Sequence, residues 1–222
     1  GTSVPASADR ICPLLRGHWL HGPASAEGPA PEGATMPDLD VAACATDQIE
    51  WHWTRQLRPR LAGLTDDEYL FDPTGGSAWT VHPRTEQRTP MQAGRGEFVV
   101  DFALPEPVPA PFTTIAWRMA HVVVGILAVR SHGHFGGPEA SYQDWAYAGT
   151  AAGALEQLDR EYARWTAGVR SLSAADLARP CGPAEGPYAE LPMLALVLHL
   201  NRELIHHGAE LALLRDLYAH TR

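Results

Sequence analysis

Leu198-His199-Leu200-Asn201-Arg202-Glu203-Leu204-Ile205-His206-His207-Gly208-Ala209-Glu210 interleaves apolar residues at helical intervals with two carboxylates and three imidazoles. Residues four apart lie over one another on an α-helix, so Glu203 and His207 reach one point from a single rigid element. Together they supply two of the three protein ligands that a divalent ion with an open coordination position generally takes. His206 and His207 are about 100° apart around a helix and cannot both face inward. Two ligand faces therefore stay open: Glu203 with His207, or His199 with Glu203 and His206.

The rest of the chain reads as further helices around this one. Asp38 or Asp40 caps a helix to about Arg60, with Val41, Cys44, Ile49, Trp53 and Leu57 at helical spacing. Thr65-Asp66-Asp67-Glu68 starts a short solvated turn, which Pro73-Thr74-Gly75-Gly76 breaks. Between Trp79 and Asp101 only short β-like pieces occur, the clearest being Glu97 to Phe102, and the Pro-rich run Pro105 to Pro111 is an extended connector. Thr113 or Thr114 caps a second long helix to about Arg130, before the glycine-rich stretch Ser131-His132-Gly133-His134-Phe135-Gly136-Gly137, read as a loop. A third helix covers about Thr150 to Leu172, Ser173 caps a short turn, Pro180 to Pro187 is a loop, and the fourth helix runs from about Leu191 to Tyr218. Four long amphipathic helices argue for an all-α fold, an antiparallel four-helix bundle with a long irregular, partly β connection between helices 1 and 2.

The chain has 222 residues, enough for one domain with additions. Residues 1–35, rich in Pro, Gly, Ala and Ser, read as a flexible extension, a remnant of expression or an over-extended gene start, and residues 36–222 as the bundle domain. His18 and His21 in that extension carry no assigned role. The net charge of −9, with no basic run, argues against nucleic acid as a partner. No apolar stretch reaches the roughly 20 residues that span a bilayer. Cys12, Cys44 and Cys181 are isolated, as thiols of a reducing compartment are, and the protein is read as cytoplasmic. There is no phosphate loop, nucleophile elbow or dinucleotide fingerprint.

The third ligand must come from the middle of another long helix. His52 and His121 qualify by position, and His121 has Trp117, Val124 and Gly125 as face neighbours on the most apolar helix of the chain. The bland readings are that Glu203 pairs with an arginine such as Arg118, that His207 satisfies a core hydrogen bond, and that His52, between two tryptophans, is core. His134 is read as a loop residue, where function is often carried, with a solvated turn as the bland reading, and Cys181 has only Arg179 nearby to activate it.

Trp117-Arg118-Met119-Ala120-His121, followed downstream by Asn201 to Glu210, resembles the DinB-like superfamily of metal-binding four-helix bundles. That family typically places one histidine on its second long helix and a His-x-x-x-His pair on its last. His207 takes the second position of that pair, and Glu203 stands where the first histidine falls. The mycothiol-dependent isomerase branch is similar in using His, Glu and His. The resemblance thus implies a metal site of His121, Glu203 and His207, with His52, His199, His206 and His134 as pocket or alternative ligands. It implies Zn²⁺, with Ni²⁺ and Fe²⁺ also compatible, and a small-molecule substrate handled by a thiol S-transferase or isomerase using mycothiol as co-substrate. A homodimer is a further implication, and the lysine-free composition fits an actinobacterial host. The competing expectation is a non-catalytic stress-response or small-molecule-binding bundle whose metal, if any, is structural and closed by a fourth ligand such as His52 or His199.

Overall fold

A computed structural model describes residues 39–222. Residues 1–35, with His18, His21 and Cys12, lie outside the described residues, as do Met36 and the alternative cap Asp38. The architecture is mostly helical with one small three-stranded sheet. The first long helix, α1, is a continuous run of Val41–His52, a π-helical turn Trp53–Leu57 and a last α turn Arg58–Arg60. The Asp40 carboxylate caps it by accepting from Ala43 N–H at 2.9 Å. Pro59 cannot donate to a carbonyl one turn back, and the widened turn directly precedes it. Helix α2 is Asp66–Tyr69, opened by a reciprocal capping box between Thr65 and Glu68. Its acidic start is not merely solvated: Glu68 is buried and holds Arg215 by two hydrogen bonds of 3.0 Å.

Strands β1 (Val81–Pro83), β2 (Met91–Ala93) and β3 (Phe98–Phe102) form an antiparallel sheet of order β1-β3-β2, with Val81 opposite Val100 and Met91 opposite Phe102. Asp101, 1% exposed, ties it together. Its carboxylate accepts from Thr80 N–H at 2.9 Å and the Thr89 hydroxyl at 3.1 Å, and it stands 3.1 Å from His82 Nε2 and 3.4 Å from Arg88 Nε. The sheet stands against the start of the next helix, where the Thr114 hydroxyl donates to Thr80 Oγ1 at 2.9 Å and Trp117 Nε1–H donates to Asp101 O at 3.0 Å.

That helix, α3, runs through Ile115–Ala120, a π-helical stretch His121–Ala128 and Val129–Phe135. It passes the expected end at Arg130 because Gly133 is tolerated inside it and the left-handed glycine that stops it comes later. Gly136, at φ 65°, closes the helix, and Gly137 N–H returns to Ser131 O at 3.1 Å. His134 is therefore helical and not on a loop. Helix α4 is Ala151–Arg170, α5 is Ala174–Ala178, a 3₁₀ turn spans Pro183–Tyr188, and α6 is Met193–Thr221. Helices α1 and α3 each pack against both α4 and α6. The core between them includes Leu57, Met119, Val124, Leu158, Trp165, Leu200, Leu204 and Leu211, and Trp53 stacks on Tyr162 at 3.8 Å. None of the described helices is long and apolar enough to cross a membrane.

Candidate metal centre

The middle of α6 brings its donors to the face that α3 covers. His207 is 15% exposed at its side chain whereas His206 is 61% exposed, which decides the register left open by the sequence. The rival triplet of His199, Glu203 and His206 fails on the same ground, since His199 is 41% exposed. Its helical spacing is right, but two of its three side chains lie where water competes for them.

His121 comes to His207 from α3, the two rings meeting edge to face with centroids 4.8 Å apart. Glu203 Oε2 lies 3.6 Å from His207 Nε2. Two donors on a tetrahedral ion with bonds of about 2.0–2.1 Å stand roughly 3.4 Å apart, so this spacing already approximates a shared cation. The outer nitrogens of both rings have other partners. His207 Nδ1 is 2.7 Å from Glu210 Oε2, and His121 Nδ1 is 2.6 Å from the Tyr142 hydroxyl. The Glu210 carboxylate only accepts, so it fixes Nδ1–H on His207 and leaves that ring's Nε2 lone pair free to face an ion, as a carboxylate partner does for a ligating histidine. The Tyr142 hydroxyl can donate or accept, and with His121 donating Nδ1–H to it the Nε2 lone pair of His121 is available likewise.

Several neighbours exist to hold these partners. Arg118 donates to Glu210 Oε2, so the arginine expected beside Glu203 pairs one turn further on. Burial pushes the Glu210 carboxyl up, but the His207 hydrogen bond and the charge of Arg118 outweigh it and leave it below the ordinary carboxylate range. Burial, with His207 as the next cause and Glu203 opposing, pushes His121 down to about 4, so its imidazole is neutral at physiological pH as a ligand requires. Burial pushes the Tyr142 phenol up to about 12. Gly125 makes the Tyr142 contact possible, because a Cβ there would collide with the hydroxyl and stand 3.2 Å from His121 Nδ1. The π-helical stretch starts at His121 itself, and Val129 N–H bonds five residues back to Val124 O. Such widened turns concentrate at functional sites.

The donors that come closest together are a different set: among the described residues, the group whose ligand atoms all lie within 4.8 Å of one another is His206, His207 and Glu210, and the trio of His121, Glu203 and His207 is not drawn together to that degree. The closer group lies on the outer side of α6, its carboxylate is already neutralised by Arg118, and His206 is exposed. The inner set of His121, Glu203 and His207 has the drier surroundings and the oriented imidazoles. His52 belongs to neither. It is buried against α6, with Nδ1 2.9 Å from Gln56 Oε1 and Nε2 against Gly208, where a Cβ would stand 3.0 Å away. Nor does His134: its side chain is 4% exposed and its Nε2 is 2.9 Å from Glu185 Oε1. Cys181 has its thiol pushed up by burial and by Glu185, as an inert cysteine would.

The sequence profile of the DinB superfamily matches residues 48–211, which takes in His121, Glu203 and His207 and most of α1 through α6. The chain belongs to the DinB superfamily. No curated protein and no solved structure gives a significant match. Within this DinB protein, Tyr142 and Glu210 are the hydrogen-bond partners of His121 and His207 that the sequence did not single out. Glu210 had a signal, three residues after His207 on the same helix face. Tyr142 had none, since it lies in the irregular stretch between α3 and α4 and reaches His121 only through the tertiary fold.

Proposed function

We propose that this DinB protein is a divalent-metal-dependent enzyme in which the four long helices form an antiparallel bundle and His121, Glu203 and His207 hold Zn²⁺ or a similar ion. The observation that carries the reading is the pairing of each histidine with its own outer partner, Tyr142 and Glu210, beside a carboxylate oxygen 3.6 Å from His207 Nε2. Two neutral imidazoles and one carboxylate suit a borderline cation and leave it a net charge near +1. When bound, the ion lowers the pKa of a water or thiol and presents it as a nucleophile. The chain's own groups do the rest. Glu210 and Tyr142 fix the two imidazoles, Arg118 keeps Glu210 ionised, and the wall of α3 limits water. A closed structural site would need a fourth protein ligand, and the orientation of His52 toward Gly208 supports an open one.

The co-substrate is proposed to be a low-molecular-weight thiol of the mycothiol type, used in S-transfer or isomerisation, because the His, Glu, His donor set resembles that branch of the family. Metal content of the purified protein and of His121→Ala and His207→Ala tests the site; a full complement in both variants removes it. Incubation with mycothiol and a panel of electrophiles tests the chemistry, and metal-loaded protein that forms no adduct with any of them removes the transferase reading.

A further inference from the structure

The segment from Ala62 to Pro111 had no role assignable from sequence. In the structure its sheet and the strand-like residues beside it wall a cavity of about 290 Å³ that opens onto His121. Trp79 and Phe102 come from the segment, and Trp117 and His121 from α3. The rings are tilted against one another and not stacked, Trp79 to Trp117 at 5.9 Å and 47° and Trp79 to Phe102 at 6.4 Å and 37°, which leaves ring surface facing the cavity. Trp117 cannot readily turn away, because its indole N–H is held by Asp101 O. Polar groups enter at two places only. His121 and Tyr142, already hydrogen-bonded to each other, form one end, and exposed Glu106 stands at the mouth with Leu104, which is 69% exposed.

We propose that this cavity is the binding site for an uncharged, aromatic-bearing substrate, whose ring lies among Trp79, Phe102 and Trp117 and whose reacting group lies against His121. The chemistry at the His121 end rests on the metal reading above; the binding of the ring does not. Apolar pockets with a few convergent polar groups are the usual small-molecule sites. A dry cavity of about 150 Å³ already binds benzene, so this one admits a single substituted ring. Aromatic walls favour ring over alkyl ligands through edge and offset contacts. In the metal-free protein no cationic side chain lines the cavity, and Glu106 at its mouth works against an anion. A larger cavity of about 390 Å³, beside Arg130 and Arg202, includes none of the three proposed ligands and is not the one that reaches the centre.

The test uses metal-free protein, p-cresol and benzoate as probes, calorimetric titration, and the indole N–H resonances of Trp79 and Trp117. The expected result is that p-cresol binds and shifts both indole signals, with benzoate about tenfold weaker or worse. Ala103→Phe, which fills the cavity from its rim without removing a core side chain, should weaken p-cresol about tenfold, and Arg202→Ala, which lines the separate larger cavity, should leave it unchanged. No indole shift, equal binding of benzoate, or an Ala103→Phe protein that binds as wild type each overturns the proposal. If wild type takes up no metal yet p-cresol still binds at Trp79 and Trp117, the pocket stands and the metal reading falls; the reverse outcome removes the pocket alone.

Discussion

Glu210→Gln is the substitution that asks most of the proposed centre. The carboxylate is 2.7 Å from His207 Nδ1 and is itself held by Arg118, so the glutamine keeps the shape and an acceptor oxygen but loses the charge. Removing a carboxylate that orients a ligating histidine generally weakens metal affinity by about 10- to 100-fold, or roughly 1.4 to 2.7 kcal/mol. Loss of the ion pair itself should change folding stability little, about 1 kcal/mol at most, because Arg118 and Glu210 are 22% and 30% exposed and solvent screens them. Affinity is therefore expected to fall well beyond stability. A competition titration against a chromophoric chelator, run beside thermal melts of the metal-free proteins, separates the two. His206→Ala locates the ion: at the inner site it leaves affinity within about twofold, whereas the outer group would lose a ligand and most of its binding. Wild-type affinity in Glu210→Gln, or metal loss in His206→Ala matching that of His207→Ala, would refute the reasoning.

Gly125→Ala should displace Tyr142 from His121 and destabilise by about 1–3 kcal/mol through overpacking, seen as a lower melting temperature and weaker metal uptake together. Asp101→Ala leaves Arg88, Thr80 and Thr89 without their buried acceptor and should cost about 3–5 kcal/mol in denaturant titrations. Burial pushes the Glu68 carboxyl up, but hydrogen bonds from Arg215 and Thr65 outweigh it and hold it below its ordinary value of 4.5. Its contribution is thus full above that value and disappears as pH falls through the lowered one. Unfolding free energy measured from neutral pH into this acid range should fall less steeply in Glu68→Gln than in wild type; parallel curves would contradict the assignment.

Much of the architecture was legible because apolar spacing and caps are local. Thr114 and Ser173 each cap the helix expected of them, and Thr150, expected as the start of the third helix, caps it. The errors came where competing local signals had to be ranked. The glycines among residues 131–137 look like one breaker, yet only Gly136 takes the left-handed conformation that ends α3, and Gly133 remains helical. The two π-helical stretches were invisible, since a widened turn is set by what packs around it and not by residue type. Three short strands were foreseen only as β-like pieces because the buried acceptor that organises them, Asp101, draws partners from the loop before β1, from β1 itself and from the turn before β2.

From its residues alone the chain set the helical periods, the helix starts and the membership of Glu203 and His207 in one helix face, because these depend on spacing along a single element. Packing decided the rest. Whether His206 or His207 is sheltered, which of His52 and His121 meets them, and that Tyr142 lies against His121 all depend on how α1 and α3 dock on α6, and Gly208 and Gly125 admit those approaches only once distant segments meet. Periodicity fixes directions within a helix; it carries no information on which neighbour stands opposite.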